Sequence, residues 1–248
     1  MNGAAITFIK SGGGVGATAL AVQMACACRG EIALLDLDIQ FGSAAFQMDI
    51  TSTTSIIDLV ATPGRLDEAM VRGAMVRPHE CFDLLAAPQG IHPMEDLTPE
   101  GVGQVIDVAR ATYASVLIDL PEIWSDWSYA ALARSSQIVL VTRLTVPSLR
   151  QARRQMDMIK QENLDRIPLF IIANQVEQGL FAKTVSKRKG EEVLGRKIDF
   201  AMPSDAAMQI ASDSGLPLGK VRGGGASVKK LARILHDILA GKPLPLAA

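Results

Sequence analysis

Apolar residues along this chain come in short continuous runs rather than in alternation. Val116-Leu117-Ile118 and Ile138-Val139-Leu140-Val141 contain no polar residue, the pattern of strands covered on both faces. Such runs predict strands at Ala4–Lys10, Ile32–Asp36, Cys81–Ala86, Ser115–Asp119, Ile138–Thr142, Leu169–Ala173 and Lys197–Ala201. Between and after them, amphipathic spacing predicts helices at Ala19–Ala27, Asp67–Val76, Gly101–Ala111, Ser148–Glu162, Phe181–Leu194 and Ser227–Leu239. This alternation predicts an α/β fold, a doubly wound and mostly parallel sheet with helices on both faces. No repeat, low-complexity tract or linker breaks it, so residues 1–248 are expected to form one domain. The tail from Gly241 to Leu246 carries Pro243 and Pro245 and is expected to be extended.

Ligands of such sheets bind at the carboxyl ends of the strands. The first strand runs into Ser11-Gly12-Gly13-Gly14-Val15-Gly16-Ala17-Thr18, followed by the first helix. This is the context a phosphate-binding loop requires. Gly16 and Thr18 meet the pattern, while Ser11 replaces its first glycine and Ala17 its lysine. Backbone N–H groups of residues 12–16 and the helix N-terminus can hold phosphate without a side chain. The hydroxyl of Thr18 can reach Mg²⁺. Ala17 cannot bring charge to a phosphoryl group in transfer. The bland alternative is a glycine-rich turn.

Leu35-Asp36-Leu37-Asp38 comes at the end of the second strand, and Asp119 ends the fourth, in a Walker B pattern. Carboxylates there suit Mg²⁺ coordination or the positioning of an attacking water; solvated strand caps are the alternative. Asn174, and the Pro203-Ser204-Asp205 turn, stand where an adenine edge could be read, though Asn is also a common turn residue.

Composition narrows the classes further. The chain is 48% hydrophobic and 21% charged, with a net charge of −1, which gives no reason to expect a nucleic-acid partner. No run is long enough to span a bilayer and no signal peptide opens the chain, so a cytoplasmic protein is expected. Cys26, Cys28 and Cys81 lack metal-ligand spacing, and the first two are expected to pack as small apolar residues. His79, His92 and His236 share no motif. Trp124, Trp127 and Tyr129 suit either an exposed interface or the core. The basic run Lys183, Lys187, Arg188 and Lys189 reads as a solvated helix face, with a polyanion contact as the minority reading.

Taken together, these residues resemble the deviant-Walker ATPases of the MinD/ParA type, and among them the CpaE/TadZ proteins of tight-adherence (Flp, type IVb) pilus assembly. Gly13-Gly14-Val15-Gly16 with Thr18 is similar to that family's K-G-G-V-G-K-T loop. The pilus branch is resembled by Leu35-Asp36-Leu37-Asp38 with Gln40-Phe41-Gly42, by Leu84-Leu85-Ala86-Ala87-Pro88, by Asp119-Leu120-Pro121, and by Val141-Thr142 continuing to Val146-Pro147-Ser148-Leu149-Arg150. The stretch from Ser204 to Leu218 resembles it too.

The resemblance implies a P-loop NTPase fold, ATP or ADP with Mg²⁺, and a homodimer. It implies nucleotide contacts from Gly12, Gly13, Gly14, Val15, Gly16, Ala17, Thr18, Asn174, Pro203 and Asp205. Asp38 would orient water, and Thr18, Asp38 and Asp119 would serve the metal. The family's signature lysine aligns with Gly12 and its second with Ala17, while Lys10 stands two residues before the signature position. Hydrolysis is therefore expected to be weak or absent, in a factor working with pilus-assembly proteins. Such a factor would sit at the inner membrane or cell pole through those partners, without inserting directly. A slow switch ATPase, helped by Lys10 or a partner, and a nucleotide-independent scaffold are the rival readings.

Overall fold

A computed structural model describes residues 2–28, 30–61, 66–177 and 185–241. The order of elements is β1 (Ala4–Lys10), α1 (Ala17–Ala27), β2 (Ile32–Asp36), α2 (Ile56–Val60), α3 (Glu68–Ala74), β3 (Asp83–Leu85), α4 (Pro99–Thr112), β4 (Ser115–Asp119), α5 (Asp126–Ala133), β5 (Gln137–Thr142), α6 (Val146–Gln161), β6 (Leu169–Val176), α7 (Lys187–Leu194), β7 (Phe200–Pro203), α8 (Ala206–Asp213) and α9 (Gly225–Leu239). The seven strands form one sheet in the order β3-β2-β4-β1-β5-β6-β7, and every pairing is parallel.

The continuous apolar runs explain the layers. In β1, Ala5 and Ile9 point to one core while Ile6 and Phe8 point to the other. The first core is closed by residues of α2 to α7, among them Val105, Trp127 and Leu149. The second is closed by α1, α8 and α9, through Leu20, Ala211 and Leu235. The amphipathic stripe of α9 is therefore spent on the core, where Leu231, Ile234, Leu235 and Ile238 are buried. No described helix is long and apolar enough to cross a membrane.

Helix starts follow local chemistry. Thr98 accepts the Gly101 N–H ahead of Pro99 in α4, and Ser125 and Ser128 form a reciprocal capping box at α5. Gly195 ends α7 in the left-handed region (φ 69°).

The last strand departs from expectation. It begins at Phe200 rather than Lys197, because the Asp199 carboxylate itself accepts the Ile171 N–H at 2.7 Å, in place of a backbone carbonyl. The third strand is shorter than Cys81–Ala86, since His79 and Glu80 turn with positive φ just before it. In the expected helix Phe181–Leu194, residues 181–184 lie outside the described residues, Lys183 of the basic run among them; the tail beyond Gly241 does too. Lys187 and Arg188 pair along the exposed side of α7 with Glu191 and Glu192.

Candidate functional site

The order of strands brings the ends of β1, β2 and β4 together. Phe8 of β1 and Asp36 of β2 both register with Asp119 of β4. Chain from these three ends surrounds a cleft of about 760 Å³ whose floor is the loop from Gly12 to Thr18.

The loop's shape depends on glycine. Gly14 and Gly16 have φ of 72° and 80°, values that cost a side chain strain. Gly16 caps α1, and the first helical hydrogen bond is Leu20 N–H to the Gly16 carbonyl at 3.0 Å. The amides of residues 17–19 precede that rung, as the first N–H groups of any helix do. No acidic residue of α1 itself occupies the first turn, so nothing within the helix offsets the positive end of its dipole. A Cβ added at Gly12 would meet nothing nearer than Glu122 at 3.9 Å, and one at Gly14 nothing within 4 Å. The space above the loop is open.

Behind the loop, Ser11 is buried and its hydroxyl meets Ser148 Oγ at 2.7 Å. Ser148 also joins Thr142 Oγ1 at 3.0 Å and accepts the Arg143 N–H at 3.0 Å. On the other side, Asn174 Nδ2 donates to the Val15 carbonyl at 2.8 Å and Gln175 Nε2 to the Gly14 carbonyl at 3.3 Å.

The two aspartates at the end of β2 and just past it have different tasks. Asp36 is fully buried, and its two oxygens accept the Asp38 and Ala44 N–H groups at 3.2 and 3.0 Å. It shapes the turn rather than facing a ligand. Burial, then the neighbouring Asp119, push its carboxyl up to about 7 against the pull of the Ala44 amide and Lys10. Asp38 lines the cleft. One of its oxygens accepts the Phe41 N–H at 3.0 Å.

Thr18 Oγ1 donates to Asp119 Oδ2 at 2.5 Å. The other oxygen of Asp119 is buried with no hydrogen-bond partner and lies 3.6 Å from Lys10 Nζ. That ammonium is also 3.7 Å from Asp38 Oδ2. Burial opposes the Lys10 charge, but Asp119, Asp38 and Asp36 outweigh it and hold the ammonium above its ordinary pKa. Asp119 is itself raised, by burial, despite Lys10 and the Thr18 hydroxyl.

Among the expected residues, Gly12 to Thr18 and Asp38 line the one cleft, with Asp119 beneath it through Thr18 and Lys10. Asn174, Pro203 and Asp205 line an adjoining recess that shares Gly16 and Ala19 with the cleft. Asp205 also caps α8, accepting the Ala207 N–H at 2.8 Å, and takes the Ser227 hydroxyl. The Ala17 methyl is buried in the core.

The hydroxyl of Thr18 and the carboxylates of Asp38 and Asp119 are hard oxygen donors of the kind Mg²⁺ takes. With the open glycine loop and bare helix end they fit a polyphosphate and its cation. Sequence reasoning missed Glu122, which faces the loop, and quoted Ser148 only within the Val146–Arg150 motif, without a role in the site. Trp127 belongs to the core, its Nε1 donating to the Met94 carbonyl at 3.0 Å, while Trp124 and Tyr129 stack edge to face, half-buried. Cys26, Cys28 and Cys81 are free and half-buried.

The arrangement can be compared with known proteins. A ParA family ATPase from Chlorobium tepidum superposes with a TM-score of 0.84, over 94% of this chain and 97% of that one, at 21% identity. The fold is that of the MinD/ParA ATPases. MinD from Pyrococcus horikoshii, complexed with Mg-ADP, shares it with a TM-score of 0.76, over 95% and 96% of the two chains, at 17% identity. In sequence the chain resembles a putative septum site-determining protein MinD of Chlorella vulgaris, 27% identical over 222 residues, or 86% of this chain and 77% of the relative. No protein-family model matches. In this chain, which has the MinD/ParA fold, loop positions 12 and 17 are Gly12 and Ala17.

Proposed function

We propose that this protein binds ATP with Mg²⁺ in the glycine-loop cleft and uses the nucleotide as a structural, dimer-controlling ligand with little or no turnover. We further propose that it serves as a localisation and assembly factor for tight-adherence (Flp, type IVb) pili. One observation carries the first part: an open phosphate loop at a bare helix end, with Lys10 as the only cation among the described lining residues.

In this reading the amides of residues 12–16 and of the first turn of α1 hold the phosphates. Thr18, Asp38 and Asp119 attend the cation, with Asp38 the candidate to orient water. Asn174, Pro203 and Asp205 wall the base. Mg²⁺, when bound, neutralises phosphate charge. Phosphoryl transfer relies on positioned cations, and an arginine finger alone is worth roughly 10³-fold or more; with no lysine at position 12 or 17, turnover falls accordingly. Phe41 and Ile123, exposed at the cleft's rim, support a homodimer closing over the site. The motifs shared with the CpaE/TadZ branch support the pilus role, reached at the inner membrane or pole through partners.

Calorimetry on nucleotide-stripped protein, with ATP and Mg²⁺, tests the binding. Saturable micromolar binding without measurable phosphate release is the expected result. Absence of heat together with an unchanged melting temperature refutes it and leaves a nucleotide-independent scaffold. Lys10 is the observation that favours a slow switch ATPase instead; ATP hydrolysis that rises on adding pilus-motor proteins and is lost in Lys10→Ala would establish that reading.

A further inference from the structure

Lys10 is the least explained group in the cleft. Its backbone is fixed, as the last residue of β1 and through the carbonyl that accepts Gln155 Nε2–H at 2.7 Å. Its side chain, only 13% exposed, is held by nothing directional: the ammonium stands between Asp38 and Asp119 at 3.7 and 3.6 Å, beyond hydrogen-bond length. A compact point charge on a flexible stem, held by attraction alone, can be redirected without breaking a fixed geometry.

The carboxylates it faces are the hard donors a divalent cation needs, and both cations cannot hold them at once. Glu122 adds a third carboxylate beside Gly12 and Gly13. A polyphosphate entering this cleft would meet Asp38, Asp119 and Glu122 with one ammonium to set against them. Attraction requires that the carboxylates be neutralised by another cation and that the ammonium face the phosphates.

We propose that Lys10 and a divalent cation exchange places: Lys10 guards Asp38 and Asp119 in the nucleotide-free protein, then yields them to the metal and turns to the phosphates, in place of the loop's absent lysines. The phosphate half of this exchange rests on the nucleotide-binding reading above. Lys10 thereby acts as a positioning residue with two posts, and metal and nucleotide load together rather than separately.

Mn²⁺ binding to the nucleotide-free full chain, followed by electron paramagnetic resonance, tests the guarding half, and calorimetry with ATP and Mg²⁺ tests the other. Lys10→Met should bind Mn²⁺ about tenfold more tightly than wild type or better, because a facing like charge has gone. It should bind ATP with Mg²⁺ about tenfold more weakly or worse, because the phosphates have lost their cation. Lys10→Arg, keeping the charge, should bind Mn²⁺ as weakly as wild type. Mn²⁺ affinity in Lys10→Met no higher than in wild type overturns the guarding, and unchanged ATP affinity overturns the exchange. If wild type binds no ATP, the nucleotide reading fails and the phosphate half with it, while the Mn²⁺ comparison still judges the guarding. Should Lys10→Met fold poorly, a melting temperature restored by Mn²⁺ in the variant and unmoved in wild type reports the same competition.

Discussion

Gly42 closes the turn that presents Asp38, and an added methyl there has nowhere to go. Its N–H donates to the Asp38 carbonyl at 2.8 Å. A Cβ would lie 2.2 Å from Ala87 Cβ, 2.7 Å from the Asp38 carbonyl oxygen and 2.8 Å from Asp36 Oδ1. Carbon atoms in contact sit roughly 3.5–4.0 Å apart, so Ala87 and the turn must separate by more than an ångström. Of these three, Ala87 Cβ is a methyl on the chain after β3 and the Asp38 oxygen is backbone, so neither can rotate aside. Overpacking of this kind costs roughly 1–3 kcal/mol. The shift also strains the amides held by Asp36, a buried acceptor whose loss costs about another 1–3 kcal/mol. Gly42→Ala should therefore destabilise by about 3 kcal/mol, a drop in melting temperature of roughly 6–12 °C for a chain this long. Gly73, exposed near the end of α3, is the matched control, since a Cβ there meets nothing within 4 Å. Gly73→Ala should be neutral or stabilising by up to about 1 kcal/mol. Calorimetric melting and urea unfolding read both variants. If Gly42→Ala melts within about 2 °C of wild type, where the cost worked out above requires several degrees, the steric reasoning is wrong.

Ser148→Ala removes the hub joining Ser11, Thr142 and the Arg143 amide, and should cost roughly 1–3 kcal/mol in urea unfolding, with Ser148→Cys no full substitute. The raised Asp36 carboxyl gives a pH signature: the folded state takes up a proton that the unfolded state has released, so this group's contribution to stability falls as pH rises from about 4 to about 7 and is flat above. Unfolding of wild type and Asp36→Asn across that range should differ by a slope of this sign, on the order of a few kcal/mol in total; parallel curves would mean that Asp36 is not protonated in the folded protein.

Strand residues were legible wherever burial alone decided them. β1, β2 and β4 match the apolar runs residue for residue, and β5 begins one residue earlier at Gln137. β7 begins later than its apolar run because the Asp199 carboxylate, which hydropathy does not see, takes the Ile171 N–H, although the Asp199 N–H still donates to the Ile171 carbonyl. The short helices α2, α5 and α8 went unforeseen, being set largely by caps such as Ser55 and Asp205 rather than by a long periodic stripe. In the site, the glycines, Asp119 and the two carboxylates Asp36 and Asp38 were readable from spacing as candidates, Asp38 being singled out by the family resemblance. The division of labour between Asp36 and Asp38 was not, for it depends on which carboxylate meets β4 in register. Nor was the post of Lys10, which follows from strands far apart in sequence lying side by side.

The amides of Asn174 and Gln175 hold the carbonyls of Val15 and Gly14 across a gap of some 160 positions in the chain. A loop rich in glycine would ordinarily surrender much conformational freedom when it closes on a guest. Here that surrender is made during folding, and the far wall of the cleft is the clamp. The two halves of the site are consequently one mechanical part: whatever presses on the recess beside β6 also presses on the backbone of the loop. Substitution of Asn174 would be felt first as slack in residues 14–16, before any question of what the recess itself receives.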